Sequence, residues 1–422
     1  MIATRNVVIT GVGVVSPIGI GRGPYWEALR AGRSGVRLTQ RYGTAPLPSP
    51  LGAELRDFDA KQYVTPRKSL KVMCAEIQAG FAAAALAIED ARLAAGSIAP
   101  ERIGVVFGGE QLYGDPLELA PLYNACSVNG EFRYEKFGTA FPSQLFPLWM
   151  LKYLPNMAAC HVGISVDARG PNNTIVSGEA SSLLALGEAI AVLRRGGADV
   201  MIAGATSSRL NLTGIMYRGD CLLSQRTDAP ELASRPFDLH RDGMVNGEGA
   251  GVVVLETAEH AQARGATVLA EVLGTASTFG PPDATGAGRQ QAIARSIGQL
   301  LSNCHLTPHD IDHVNAHGLS TVDDDRLEAR AIAEQLGTTP VTALKSYFGN
   351  LGAAGGMVEL IASVIGLQEG IVPGTLNYST PDPSCPIEVI HGEPQLVRRP
   401  VAVSLNQSRT GQSAAVAIRR PG

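Results

Sequence analysis

The chain has 422 residues, 45% hydrophobic and 18% charged, the composition of a globular protein with a large core and not of a disordered one. A net charge of -4 leaves no nucleic-acid footprint, and no apolar run is long and uninterrupted enough to span a membrane. Cysteines at 74, 126, 160, 221, 304 and 385 lack metal-type spacing, so reduced thiols in a cytoplasmic protein are expected, with no metal and no cofactor.

The opening MIATRNVVITGVGVVSP runs directly into strand-like sequence and shows no signal peptide. LKVMCAEIQAGFAAAALAIEDARL reads as a long buried helix and RIGVVFGG as a strand, followed by an irregular stretch to about residue 155. Residues 113–153 hold nine of the chain's 22 aromatics, which suits either an interface or pocket wall, or a local mini-core under a long loop. TIVSGEASSLLALGEA then reads as a strand, a tight turn at Ser177, Gly178 and Glu179, and a helix apolar on every side and hence buried. ADVMIAGA is a strand, and GAGVVVLETAEHAQARGA a strand and helix.

The second half repeats the style. ARSIGQLLSNCHL is a helix, IDHVNAHG a strand ending in His317, and DRLEARAIAEQLG a helix. VTALKS is a strand closed by Lys345, GGMVELIASVIGLQEG a helix stopped by Gly370, and PVAVSLNQ and AAVAIRR are strands. Such alternation predicts an α/β fold of sheets covered by helices, in which the two halves are candidates for duplicated units.

Two motifs fail on inspection. GVGVVS lacks the third glycine and the acidic partner of a dinucleotide fingerprint. His305, His309, His313 and His317 fall every four residues, but Pro308 breaks the helix that a metal stripe would need. Three strand-end turns remain, presenting Glu179, His317, and Lys345 with Asn350, where α/β sheets gather catalytic groups.

RPFDLHRDGMVNGEGAGVVVLE (235–256), VNAHG (314–318), DRLEA (325–329), KSYFGNLGAAGG (345–356), PNMAA (155–159) and the opening NVVITGVGVVSPIG together resemble the β-ketoacyl-acyl-carrier-protein synthases of the elongating type, over essentially the whole chain. The resemblance implies a thiolase-like fold, a duplicated five-layered αβαβα sandwich, with halves at 1–258 and 259–422 and an interface or pocket insertion at about 110–155. It implies a dimer and acyl or malonyl substrates on an acyl carrier protein.

It also implies changes at the site. Glu179 falls on the family's nucleophilic cysteine, His317 on its first histidine, Lys345 on its lysine and Asn350 on its second histidine. Asp325, Glu328 and Glu359 match supporting carboxylates, and the gating loop appears as NQSRTGQS with Gln407, Ser408 and Arg409 on the gate. Condensation needs a thiolate, which a carboxylate replaces poorly, and neither Cys160 nor Cys221 lies in an elbow-like segment. An anionic Glu179 would repel an enolate by about 4 kcal/mol at 4 Å and an effective dielectric of 20, as much as one donor from His317 or Asn350 would gain. A pair between Glu179 and protonated His317 would relieve that repulsion. The first expectation is therefore a silent, chain-length-factor-like partner of an active ketosynthase. The second is an enzyme decarboxylating, hydrolysing or condensing thioesters with Glu179 and His317, and the third a carrier-protein or lipid-binding module.

Overall fold

The computed structural model describes residues 5–43, 47–94, 96–219, 222–281 and 283–422. The first half runs β1 (Val7–Ser16), α1 (Ala75–Asp90), β2 (Ile103–Gly109), α2 (Met157–Ser165), β3 (Asn172–Val176), α3 (Ser181–Arg194), β4 (Val200–Ser208) and β5 (Glu248–Thr257). The second repeats that order as β6 (Ala270–Phe279), α4 (Ala287–Cys304), β7 (Ile311–Asn315), α5 (Val322–Leu336), β8 (Val341–Thr342), α6 (Gly355–Glu369), β9 (Val401–Gln407) and β10 (Gln412–Arg419).

Strand order repeats as well. The first half is ordered β3-β2-β4-β5-β1 and the second β8-β7-β9-β10-β6. In each, the three strands furthest from the junction are parallel and the remaining pairings antiparallel. The halves join where β1 pairs antiparallel with β6, from Val7 opposite Val272 to Ile9 opposite Ala270.

Both faces of central strands such as β1 and β5 are covered, so their sequences are apolar without a polar side. In β5, Val252 and Val254 pack outward under α1, while Val253 and Leu255 face the interior with α3 and α6. In β10, Ala415 and Ala417 face α4 and α5, and Ala414, Val416 and Ile418 face the interior. Three apolar clusters thus alternate with two sheet layers, giving five layers with α3 and α6 in the middle. The helix after Glu179 is mostly buried, but Ala191 is exposed and Leu184, Gly187 and Glu188 are half-buried, so the expected burial on every side is incomplete; α6 is buried at every position from Gly355 to Leu367. Gly370 stops α6 in the left-handed conformation, at φ 76°.

Four local expectations are corrected. Strand β8 has two residues, and Lys345 opens the short helix Lys345–Phe348 instead of closing a strand. β7 ends at Asn315, two residues before His317. β6, a ten-residue strand at the junction of the halves, is absent from the sequence expectation because its glutamate, serine, two threonines and glycine dilute the apolar pattern. The irregular stretch holds helices Pro116–Cys126 and Phe137–Gln144 around a small core of Leu122, Cys126 and Leu145, with Phe137, Phe141 and Trp149 against it. Its rings run in series from Tyr123 through Phe132, Tyr134 and Phe137 to Phe141, with centroids 5.6 to 6.4 Å apart.

The rejected histidine stripe does not form: His305 caps α4 and His313 lies in β7. Among the described residues no helix is long and apolar enough to cross a membrane.

Candidate functional site

Two turns meet at the seam between the halves. The first leads from β3 into α3. Ser177 leaves the strand at φ -144°, ψ 42°, Gly178 takes φ 58°, and Glu179 follows in a single 3-10 turn. Ser181 Oγ ties this elbow by donating to the Gly178 carbonyl (2.6 Å) and accepting from the Ser177 N–H (2.8 Å). The second turn carries Asn350 from the helix Lys345–Phe348 towards α6. Asn350 Oδ1 accepts from the Gly352 N–H at 2.9 Å, which turns its amide nitrogen towards Glu179 Oε1, 3.4 Å away. The same nitrogen is 3.4 Å from Met244 Sδ, a weak acceptor.

Glu179 is buried, and its partner is not His317. Arg209 Nη1 donates to Glu179 Oε1 at 2.6 Å and lies 3.5 Å from Glu110 Oε1. Ser207 Oγ holds the other Glu110 oxygen at 2.8 Å. Gly352, at φ 58°, is required here, because a Cβ would stand 2.6 Å from Ser207 Oγ and 2.7 Å from Glu110 Oε1. Burial opposes the charge on Glu179, but Arg209, its own backbone N–H, the Asn350 amide and Lys345 outweigh it and hold the carboxyl below the usual glutamate range. It is an anion locked to a cation.

Sequence reasoning missed Arg209, Glu110 and Met244. Arg209 is the first residue after β4, so the rule that drew attention to three other strand ends applied to it equally.

His317 takes a separate network. Lys345 Nζ donates to the His317 carbonyl at 2.7 Å and to Glu359 Oε1 at 2.6 Å, and lies 3.0 Å from His317 Nδ1. Because lysine only donates, Nδ1 is the acceptor and the ring proton is assigned to Nε2. Burial, then Lys345 and Arg209, hold the imidazole well below the ordinary histidine range, so it is neutral. Nε2 is buried and finds no partner among the described residues. The expected pair of Glu179 with protonated His317 is therefore replaced by two networks, Glu179–Arg209–Glu110 and His317–Lys345–Glu359.

The supporting carboxylates hold backbone. Glu328 accepts from the N–H groups of His317 (2.7 Å) and Gly318 (2.8 Å), and burial pushes it up to about 7. Asp325 accepts from Phe237 (2.8 Å) and Ser320 (3.0 Å) and is likewise pushed by burial to about 7. Glu359 also accepts from Asn406 Nδ2 at 3.1 Å.

Of the residues expected on a gate, Gln407 ends β9, and Ser408 packs so closely on the elbow that a Cβ at Gly178 would lie 3.3 Å from its own. Arg409 turns outward to Asp324, 3.8 Å away, which also binds Arg289. The structure thus gathers Glu179, Asn350, His317, Lys345 and Glu359 at the seam and leaves Arg409 at its mouth. Among the cysteines described, Cys160 lies in α2 against Asn156; Cys221 lies outside the described residues.

Repeated halves, five layers and a polar seam define a thiolase-like ketosynthase fold. Residues 4–261 match the beta-ketoacyl synthase N-terminal domain and 269–379 the C-terminal domain, so the chain belongs to the β-ketoacyl synthase family. It is 35% identical to a polyketide β-ketoacyl synthase 1 of Streptomyces cyaneus over 99% of both chains. It is also 35% identical to 3-oxoacyl-[acyl-carrier-protein] synthase 2 of Coxiella burnetii, over 92% of both. Two solved structures resemble it closely. One is the ishigamide ketosynthase/chain length factor (TM-score 0.86, 26% identity, 100% of both chains). The other is a type II acyl-carrier protein in complex with its ketosynthase bound to the hexaketide (TM-score 0.84, 29% identity, 99% of this chain and 100% of that one).

Proposed function

We propose that this chain is a non-condensing, chain-length-factor-like partner of an active ketosynthase in fatty-acid or polyketide assembly, with Glu179 in place of the family's cysteine. The observation that carries the reading is the Arg209–Glu179 pair. A carboxylate fixed at 2.6 Å to a buried guanidinium is unavailable as nucleophile or base. The ketosynthase/chain length factor and carrier-protein complexes among its structural relatives support a carrier-protein partner and a heterodimer. Exposed apolar side chains on the edge strand β3 and on α2 beside it, Val176 and Ile164, support a dimer through that edge. The repeated topology supports halves at 1–258 and 259–422.

A second reading has its own observation. His317 Nε2 is a buried, unspent donor, and Arg209 neutralises most of the repulsion that Glu179 alone would exert on an enolate. That leaves malonyl-thioester decarboxylation open to the pocket, with His317 stabilising the developing oxyanion. Mass spectrometry of malonyl-carrier protein, incubated with the purified chain alone and with a ketosynthase encoded beside it, separates the two. The partner reading expects no acetyl-carrier protein from the chain alone, and a stable complex with the ketosynthase that condenses. Acetyl-carrier protein from the chain alone, or a homodimer indifferent to the ketosynthase, would overturn it.

A further inference from the structure

We propose that the cleft between α1, the segment after β4 and the helix Pro116–Cys126 binds a small organic cation, a primary ammonium on an apolar stem, through the carboxyl of Glu76. The cleft measures about 560 Å³, within the range of about 300–1,000 Å³ that small-molecule sites occupy. Glu76 lines it from the first turn of α1 and is 8% exposed. Thr206 Oγ1 donates to the Glu76 carbonyl, which fixes this turn of the helix on β4. The carboxyl is hydrogen-bonded only by its own N–H and the Cys74 thiol, a weak donor, although a carboxylate offers about four acceptor positions.

The cations that line the cleft are spent elsewhere. Arg41 donates through both terminal nitrogens to Glu248 and lies 3.7 Å from Glu54, and Lys152 is paired with Glu118. The pull of Arg41 on Glu76 is weaker than the push of Glu248, and burial adds to that push, so Glu76 is held above the ordinary glutamate range. Asp115, also on the wall, caps the helix Pro116–Cys126 by accepting from the Leu117 N–H at 2.9 Å and has no ion-pair partner among the described residues. Two acids thus line the cleft without a cation of their own.

An ammonium carries three donors and no acceptor, the complement of a cleft whose unspent groups are acceptors. Met73, Leu117 and Leu212 provide an apolar wall for its stem, and the tyrosine rings of Tyr42 and Tyr153 attract cations. No group of three metal-ligating side chains forms among the described residues, so the fit is to an organic cation and not to a metal ion. None of these residues belongs to the networks around Glu179 and His317, so the site and its test stand apart from the partner reading.

The test titrates n-butylammonium chloride and n-butanol into the native chain and Glu76→Gln by calorimetry, at ionic strength held equal with sodium chloride. The native chain is expected to bind butylammonium with a Kd about tenfold or more below that for butanol, and Glu76→Gln to lose that preference. No saturable binding of butylammonium, equal affinity for the two probes, or a preference kept in Glu76→Gln overturns the site. If Glu76→Gln is not recovered folded, Leu117→Lys takes its place, since Leu117 is 80% exposed and its replacement leaves the core intact. Its ammonium is expected to raise the Kd for butylammonium about tenfold or more, and an unchanged Kd overturns the site.

Discussion

At the residue scale, the site is governed by which buried charges find partners. Glu328 is the case with a pH signature. Its folded value, about 7, lies above the ordinary 4.5, so its contribution to stability is full below about 4.5 and is lost as pH rises through about 7. Asp325 beside it behaves in the same sense. Glu328→Gln removes one titration, so the stability gap between native chain and variant should narrow by a kcal/mol or more between about pH 5 and pH 8. Urea unfolding at the two pH values measures this, and a gap that widens with pH would refute the assignment. His317 works in the opposite direction, since its depressed value adds stability above about pH 6.5 that is lost in acid; it cancels because both proteins carry it. Much of this network was legible in the sequence, because Glu179, His317, Lys345 and Asn350 sit in recognisable turns. Arg209 was not, because nothing in TSSRLN says which way a strand-end side chain turns or which acid it meets.

At the element scale, the site depends on how closely the middle helices approach the sheets. Gly108 in β2 lies under the first turn of α3, where a Cβ would stand 2.6 Å from the Ser181 carbonyl carbon and 2.7 Å from its oxygen. Gly108→Ala should therefore push the elbow off the strand and cost about 1–3 kcal/mol. The loss is read as a lower urea midpoint with unchanged slope, and an unaffected midpoint would mean that the elbow is not held by this contact. Helices α3 and α6 were readable because they are apolar on every side. The end of strand β8 was not, since two strand residues inside VTALKS carry no period to mark where the strand stops, and KSYF, which follows closely, has no helical signature of its own.

At the scale of the whole molecule, the two halves share more than a boundary. The β1–β6 pairing joins their sheets, and one apolar cluster includes β1, α3, α6 and β10 together. Neither half can separate without exposing that core. Thermal unfolding should show coincident near- and far-ultraviolet transitions, and two resolved steps would show that the halves are independent. The repeated topology also explains where the site lies. The turn that enters α3 and the turn that enters α6 are equivalents in the two repeats, and they face each other as Glu179 and Asn350. A perfectly symmetric protein would set each residue there against its own copy, glutamate on glutamate or amide on amide. The seam is thus a place where sameness is penalised: an acid on one side requires a neutral donor on the other, and a cation from β4 belongs to one repeat only. A change at either turn is, in effect, a change to both.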